Sequence, residues 1–170
     1  MSAAPQLKLM AFDVDGVLTD GSLYYTEDGK EFKAFNTLDG HGLKMLQKSG
    51  VRLAIITGRK SGCVEHRARN LGIDLLFQGV EDKRQVMAEL LQREGISFAE
   101  AGYMGDDVVD LPIMRACGFS AAPGNAHAFV KRHATYVAEQ LGGRGAVREV
   151  CEHLLQQRGQ LEALLDAYLQ

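Results

Sequence analysis

The sequence is short of cysteine, and the three it has, Cys63, Cys117 and Cys151, are odd in number and far apart. That excludes a disulfide framework and a zinc ribbon and fits a reducing, cytoplasmic setting, with each thiol expected to be a small buried hydrophobe. No apolar run approaches the roughly 20 residues that span a bilayer, so no membrane partner is expected. Between Met1 and Lys8 there is no charged region followed by an apolar stretch and a cleavage site. Basic residues are not in surplus. The formal net charge is −3 with the two signs interspersed, which argues against a nucleic-acid partner. Neither Gly-x-Gly-x-x-Gly after a strand nor Gly-Lys-Ser/Thr occurs, so a nucleotide-binding loop finds no support.

What is present is a chain of 170 residues, 46% hydrophobic, the size and composition of one globular domain. Leu7–Val14 is a mostly apolar run ending in Asp13-Val14-Asp15-Gly16, the pattern of a buried strand that breaks at a glycine turn. Glu27-Asp28-Gly29-Lys30 lies between two strand-like runs, Ser22–Tyr25 and Glu31–Phe35, which predicts a hairpin. Asp39 is the expected cap of a helix carrying Leu43 and Leu46, stopped by Gly50. Val51–Thr57 reads as a second buried strand, followed by a helix from Ser61 to Gly72 and a short strand at Leu75–Gln78. Asp82 opens a helix with Val86, Met87, Leu90 and Leu91 on one stripe, closed by Gly95. Strands are expected at Ala101–Gly105, Phe119–Ala122 and Thr135–Ala138, with a helix over Val108–Ala116.

Strand and helix alternate from Leu7 to Leu155, the mark of a parallel sheet covered on both faces. The expected class is α/β: a Rossmann-like parallel sheet with helices on both faces, a small β-hairpin flap and no cap domain. Residues 1–170 form a single domain in this reading, with 22–36 the flap and 140–170 a C-terminal helix or tail. In that tail Val147, Val150, Cys151, Leu154 and Leu155 recur at helical spacing, and Leu161, Leu164, Leu165 and Tyr168 continue the phase past Arg158-Gly159. Either one helix continues or a second begins at Gly159. Its apolar side packs on its own domain or serves as an intersubunit arm.

Asp13 and Asp15, two apart on a strand, begin on one face, and Gly16 lets the backbone approach a ligand. Polar chemistry also marks two other strand ends, at Thr57-Gly58-Arg59 and Asp106-Asp107. Parallel sheets bind ligands beyond the carboxyl ends of their strands, so these acids converge if the strands are neighbours. Crowded carboxylates repel and call for a cation, and an oxygen-only ligand set favours Mg²⁺. Asp106 or Asp107 could instead simply cap the helix at Val108, with Asp110 complementing its dipole.

These residues resemble the haloacid dehalogenase superfamily of phosphohydrolases, whose four motifs appear in order between Phe12 and Asp110. They are Asp13-Val14-Asp15-Gly16-Val17-Leu18-Thr19-Asp20, Thr57, Lys83 and Gly105-Asp106-Asp107-Val108-Val109-Asp110. More narrowly, Asp15–Gly21, Phe35-Asn36, Asp39-Gly40, Ile55–Lys60 and Gly142–Glu149 resemble the 3-deoxy-D-manno-octulosonate 8-phosphate (KDO 8-phosphate) phosphatase family of lipopolysaccharide precursor synthesis. His41 stands where an aromatic is usual there, and Lys44 where arginine is expected.

The resemblance implies Asp13 as nucleophile and Asp15 as acid and base. Thr57 and Lys83 would bind phosphoryl oxygens, and Mg²⁺ would be held by Asp13, the Asp15 carbonyl and Asp106, with Asp107 and Asp110 behind them. It places Asn36, Thr37, Leu38, Asp39, Gly40, Lys44, Arg59 and Arg67 near a phosphorylated sugar acid, with Asp15 and Lys83. It also implies a homotetramer in which the Gly142–Gly145 segment and Arg144 reach a neighbouring subunit's site. A phosphatase of a related nine-carbon sugar acid and a non-catalytic oligomerisation domain are the competing readings.

Overall fold

The computed structural model describes residues 6–170; Met1–Pro5, part of the N-terminal stretch considered above, lie outside the described residues. Among the described residues there are eight strands and seven α-helices: β1 Leu9–Phe12, β2 Tyr24–Tyr25, β3 Glu31–Phe32, α1 Thr37–Lys48, β4 Arg52–Ile56, α2 Gly62–Leu71, β5 Leu75–Phe77 and α3 Lys83–Glu94 form the first half. β6 Ala101–Met104, α4 Leu111–Ala116, β7 Phe119–Ala122, α5 Ala128–Lys131, β8 Tyr136–Val137, α6 Ala146–Gln157 and α7 Leu161–Asp166 complete it. Six strands form one sheet in the order β5-β4-β1-β6-β7-β8, every pairing parallel. β2 and β3 pair antiparallel as a separate hairpin.

The apolar runs are explained by burial on both faces of the sheet. Along β1, Met10 and Phe12 pack into the core beneath α1, α2 and α6, while Leu9 and Ala11 pack beneath α3, α4 and α5. Leu53 and Ile55 of β4 follow the first side, Ala54 and Ile56 the second. A strand sealed on both sides needs no polar alternation, which is why these segments read as continuous hydrophobic runs.

Most punctuation lies where the sequence predicts it. Ser61 and a left-handed Gly72 bound α2; Asp82 accepts from Gln85 N at 2.9 Å to cap α3, and a left-handed Gly95 ends it. The expected hairpin forms, its turn running from Thr26 to Lys30 with Gly29 at φ 79°. Three expectations need correction. The cap of α1 is Asn36, whose side chain accepts from Leu38 N and Asp39 N, while Asp39 lies buried in the first turn. Val108–Ala116 is a 3-10 turn, Val108–Asp110, followed by a short α-helix with proline in its first turn. Of the cysteines only Cys151 is fully buried. α5 and a 3-10 turn at Phe98–Glu100 were not anticipated; both are too short to carry a periodic signal.

At the C-terminus the second alternative holds. α6 ends, Gly159 turns with φ 67°, and α7 starts anew. The apolar side of α6 is buried in its own domain, with Leu161 and Leu164 of α7 packed beside it.

Candidate active site

In the strand order, β1 lies between β4 and β6, with the chain running outward to β5 on one side and to β8 on the other. This reversal leaves a crevice beyond the carboxyl ends of the central strands. An open cleft of ≈ 400 Å³ occupies it, lined by Asp13, Asp15, Thr57, Arg59, Lys83 and Asp106 among others.

Asp13 continues β1, its N–H donating to Met104 O at 3.0 Å. Its carboxylate is fixed from two sides: Val14 N donates to Oδ1 at 2.7 Å and Lys83 Nζ to Oδ2 at 2.6 Å. Lys83, the first residue of α3, also donates to Asp110 Oδ1 at 2.7 Å. Asp110 is completely buried, and its other oxygen accepts from Asp106 N and Asp107 N at 3.0 and 3.2 Å. A buried acid this well satisfied acts as an anchor. It holds Lys83 against Asp13 and shapes the Asp106-Asp107 turn.

The two neighbouring aspartates divide the roles that the sequence left open. Asp107 is exposed and its Oδ1 accepts from Val108 N at 2.7 Å, so it is the cap. Asp106 faces the cleft; a Cβ on Gly16 would collide with its carboxylate, so only glycine fits that crossing.

One carboxylate oxygen each from Asp13, Asp106 and Asp110 lies within 4.8 Å of the others. Burial, then the charge of Asp110, raises the Asp13 pKa to about 6 despite Lys83. Asp106 is raised to about 7, first by burial and then by the charges of Asp110, Asp13 and Asp107. Two all-oxygen groups reluctant to ionise side by side suit a hard divalent cation. Asp110 is completely buried and serves Lys83 and two backbone amides, whereas Asp13 and Asp106 line the cleft, where a cation would meet them.

A search against family profiles matches residues 73–147 to the haloacid dehalogenase-like hydrolases. The 3-deoxy-D-manno-octulosonate 8-phosphate phosphatase KdsC of Escherichia coli (strain B / BL21-DE3) is 44% identical over 162 residues, covering 95% of this chain and 86% of that protein. The chain belongs to the haloacid dehalogenase-like hydrolases. Among solved structures, a probable YrbI family phosphatase from Pseudomonas syringae superposes with TM-score 0.97 at 51% identity, covering 99% of this chain and 96% of that one. The KDO 8-phosphate phosphatase of Moraxella catarrhalis, solved with magnesium, phosphate and KDO, superposes with TM-score 0.95 at 41% identity, covering 98% of this chain and 95% of that one.

In this hydrolase the residues expected to contact substrate are dispersed. Asn36 spends its side-chain oxygen on capping α1. Asp39 is buried and accepts from Arg148 N at 2.9 Å and Gly145 N at 3.4 Å, anchoring the start of α6. Gly40 leaves room for the Arg67 guanidinium, which donates to Asn36 O at 2.9 Å and lies over the Phe35 ring. Thr37, Leu38 and Lys44 are exposed. Of this set only Asp15, Arg59 and Lys83 line the cleft.

The Gly142–Gly145 segment is seated on its own chain. Gly143 N donates to Val17 O at 2.9 Å and Gly142 N to Asn125 Oδ1 at 3.0 Å, and Arg144 lies 3.6 Å from Asp20. A Cβ on Gly142 would strike the Gly16 carbonyl oxygen, and one on Gly143 the backbone of Thr19 and Asp20. These glycines buttress the turn that follows Asp15. Gly142→Ala is therefore expected to cost about 1–3 kcal/mol through backbone displacement, a Tm drop of roughly 2–12 °C, together with lowered kcat. Calorimetry and phosphate release read both; an unchanged kcat removes the link between this segment and the site.

Sequence reasoning missed the floor of the hairpin. Lys33 donates to Asp15 Oδ1 at 2.5 Å and lies 3.1 Å from Glu31 Oε1, while Arg59 donates to Glu31 Oε2 and to the Tyr25 hydroxyl. The one available signal was alternation: Glu31 and Lys33, two apart on an extended stretch, share a face.

Proposed function

We propose that this chain hydrolyses KDO 8-phosphate to KDO and phosphate through an aspartyl phosphate on Asp13. The observation that carries the reading is the carboxylate of Asp13, clamped by Val14 N and Lys83 Nζ in the cleft that Asp106 also lines.

Asp13 and Asp106 would hold Mg²⁺ together with the Asp15 backbone carbonyl. The ion, when bound, offsets the charge of the phosphate and the carboxylates around it. An Asp13 oxygen attacks phosphorus in line, forming the Asp13–phosphorus bond as the bond to the sugar oxygen breaks. Asp15 gives its proton to that leaving oxygen. Asp15 then takes a proton from a water molecule, whose oxygen attacks the phosphoryl group, releasing phosphate and restoring Asp13. Lys83, held by Asp110, and Thr57 at the end of β4 bind phosphoryl oxygens as their charge redistributes. Asp107 acts through the turn that it caps.

Residues 1–170 are read as one phosphatase domain without a cap, the hairpin overhanging the cleft. Asn36–Gly40, Lys44, Arg59, Arg67 and Arg144 are retained as candidates for the sugar acid. Only Arg59 among them lines the cleft, so the others require the hairpin, α1 or a second subunit to contribute to the site. A homotetramer is the proposed assembly, to be tested by sedimentation. A cytoplasmic location is proposed, and none of the described helices is long and apolar enough to cross a membrane.

The deciding measurement is phosphate release from a panel of sugar phosphates with magnesium. KDO 8-phosphate is expected to exceed its nine-carbon sugar-acid analogue in kcat/KM by about 10-fold or more, since a pocket contact changes discrimination by roughly 1–3 kcal/mol. The reverse ranking would assign the chain to the nine-carbon substrate. No release from any member would favour the non-catalytic reading.

A further inference from the structure

Asp15 differs from Asp13 in how it is held. No backbone amide donates to its carboxylate among the described residues; its partners are Lys33 Nζ at 2.5 Å from Oδ1 and Arg59 Nε at 3.7 Å from Oδ2. Both are cations brought from elsewhere in the chain. Lys33 follows β3, and its side chain is only 2% exposed. A lysine that well covered is costly to desolvate unless paired, and here it is wedged between Asp15 and Glu31. Glu31 is tied in turn to Arg59. The four charges thus close a ring joining the hairpin, the end of β4 and the Asp15 carboxylate. Lys33 itself does not line the cleft, so its contact with the chemistry runs through Asp15.

We propose that Lys33 is a positioning residue for the reaction: its buried ammonium fixes the orientation of the Asp15 carboxylate and fastens the hairpin over the site. This rests on the role given to Asp15 in the reading above. A proton donor left to rotate loses the alignment on which transfer depends, and small misplacements cost up to about 10²-fold.

The test compares wild type, Lys33→Met, Lys33→Arg, Asp15→Asn and the Lys33→Met/Asp15→Asn double variant on KDO 8-phosphate and on p-nitrophenyl phosphate. The aryl leaving group of the latter departs without a proton and keeps slow variants measurable. Lys33→Met is expected to lower kcat by about 10–100-fold with KM changed less than about threefold, as for residues that orient others. Lys33→Arg, which keeps a charged donor, should recover most of the loss and controls for a folding defect in the methionine variant, as does thermal unfolding. In the Asp15→Asn background Lys33→Met should add less than about twofold, because both changes disable one unit. Losses that multiply, a loss carried by KM, or full activity in Lys33→Met overturn the proposal. Turnover of p-nitrophenyl phosphate but not of KDO 8-phosphate removes only the substrate assignment; the Lys33 comparison is then decided on the aryl ester in the second step, breakdown of the aspartyl phosphate, where Asp15 must still take a proton from water.

Discussion

Asp13→Asn is expected to lower kcat by about 10⁴-fold or more, as losing a nucleophile does elsewhere, in a protein that remains folded. The carboxamide cannot form an acyl phosphate, and three neighbouring acids are already engaged. Asp110 is committed to Lys83 and to two backbone amides, and Asp107 to its cap. Asp15 is drawn toward Lys33 and Arg59. Folding should survive because asparagine is nearly isosteric and its one oxygen can still accept from Val14 N or from Lys83. With that oxygen on Val14 N, Lys83 keeps Asp110 but loses its charge-assisted bond to residue 13, at a cost of about 1–3 kcal/mol. Against that cost, the substitution removes a buried charge that burial and Asp110 already disfavour. Phosphate release and thermal unfolding, run on one preparation, separate the two effects. Activity within about 100-fold of wild type in a correctly folded variant would move the nucleophile away from Asp13.

The roles of these acids were unequally legible in the sequence. Asp13, Asp15 and Gly16 announce themselves because a buried run of apolar residues ends in acids, a pattern that needs a partner or a ligand. Bounds such as Ser61 and Gly72, or Asp82 and Gly95, are local events of one turn, and local rules recover them. Asn36 and Asp39 illustrate the limit: both are good caps three residues apart, and the choice depends on α6, whose first amides take Asp39 away. The choice between Asp106 and Asp107 has the same character, since it depends on which one faces Gly16 across the sheet. Gly142 reads as a linker until Gly16 is found beneath it. Lys33 reads as one more charge on a polar hairpin, and only the fold shows that its ammonium is buried against Asp15. What could not be read was contact between segments distant in sequence, and the site is made largely of such contacts.

Withdrawal of magnesium should abolish turnover by about 10³-fold or more, reversibly, and it should also change how stability responds to pH. Asp13 and Asp106 have folded-state pKa values of about 6 and about 7, both above the ordinary value of 3.8. Folding therefore favours their neutral forms. Their contribution to stability in the metal-free protein is fully present below about pH 4, and it is lost as pH rises through 6 and 7. A divalent cation binds the ionised pair, so it opposes that loss and must displace protons to do so. The gain in Tm from magnesium should accordingly be small at pH 5 and grow toward pH 8. At 100 times its dissociation constant the ion adds about 2.7 kcal/mol, or roughly 5–11 °C for a chain of this size. Asp13→Asn should flatten both trends, since it removes one of the two titrating groups and one ligand together. Calorimetry across that pH range, with chelator and with magnesium, measures the whole relation. A magnesium shift that stays constant with pH, or survives intact in Asp13→Asn, would mean that the ion binds away from Asp13 and Asp106, and the electrostatic reading of the cleft would fall with it.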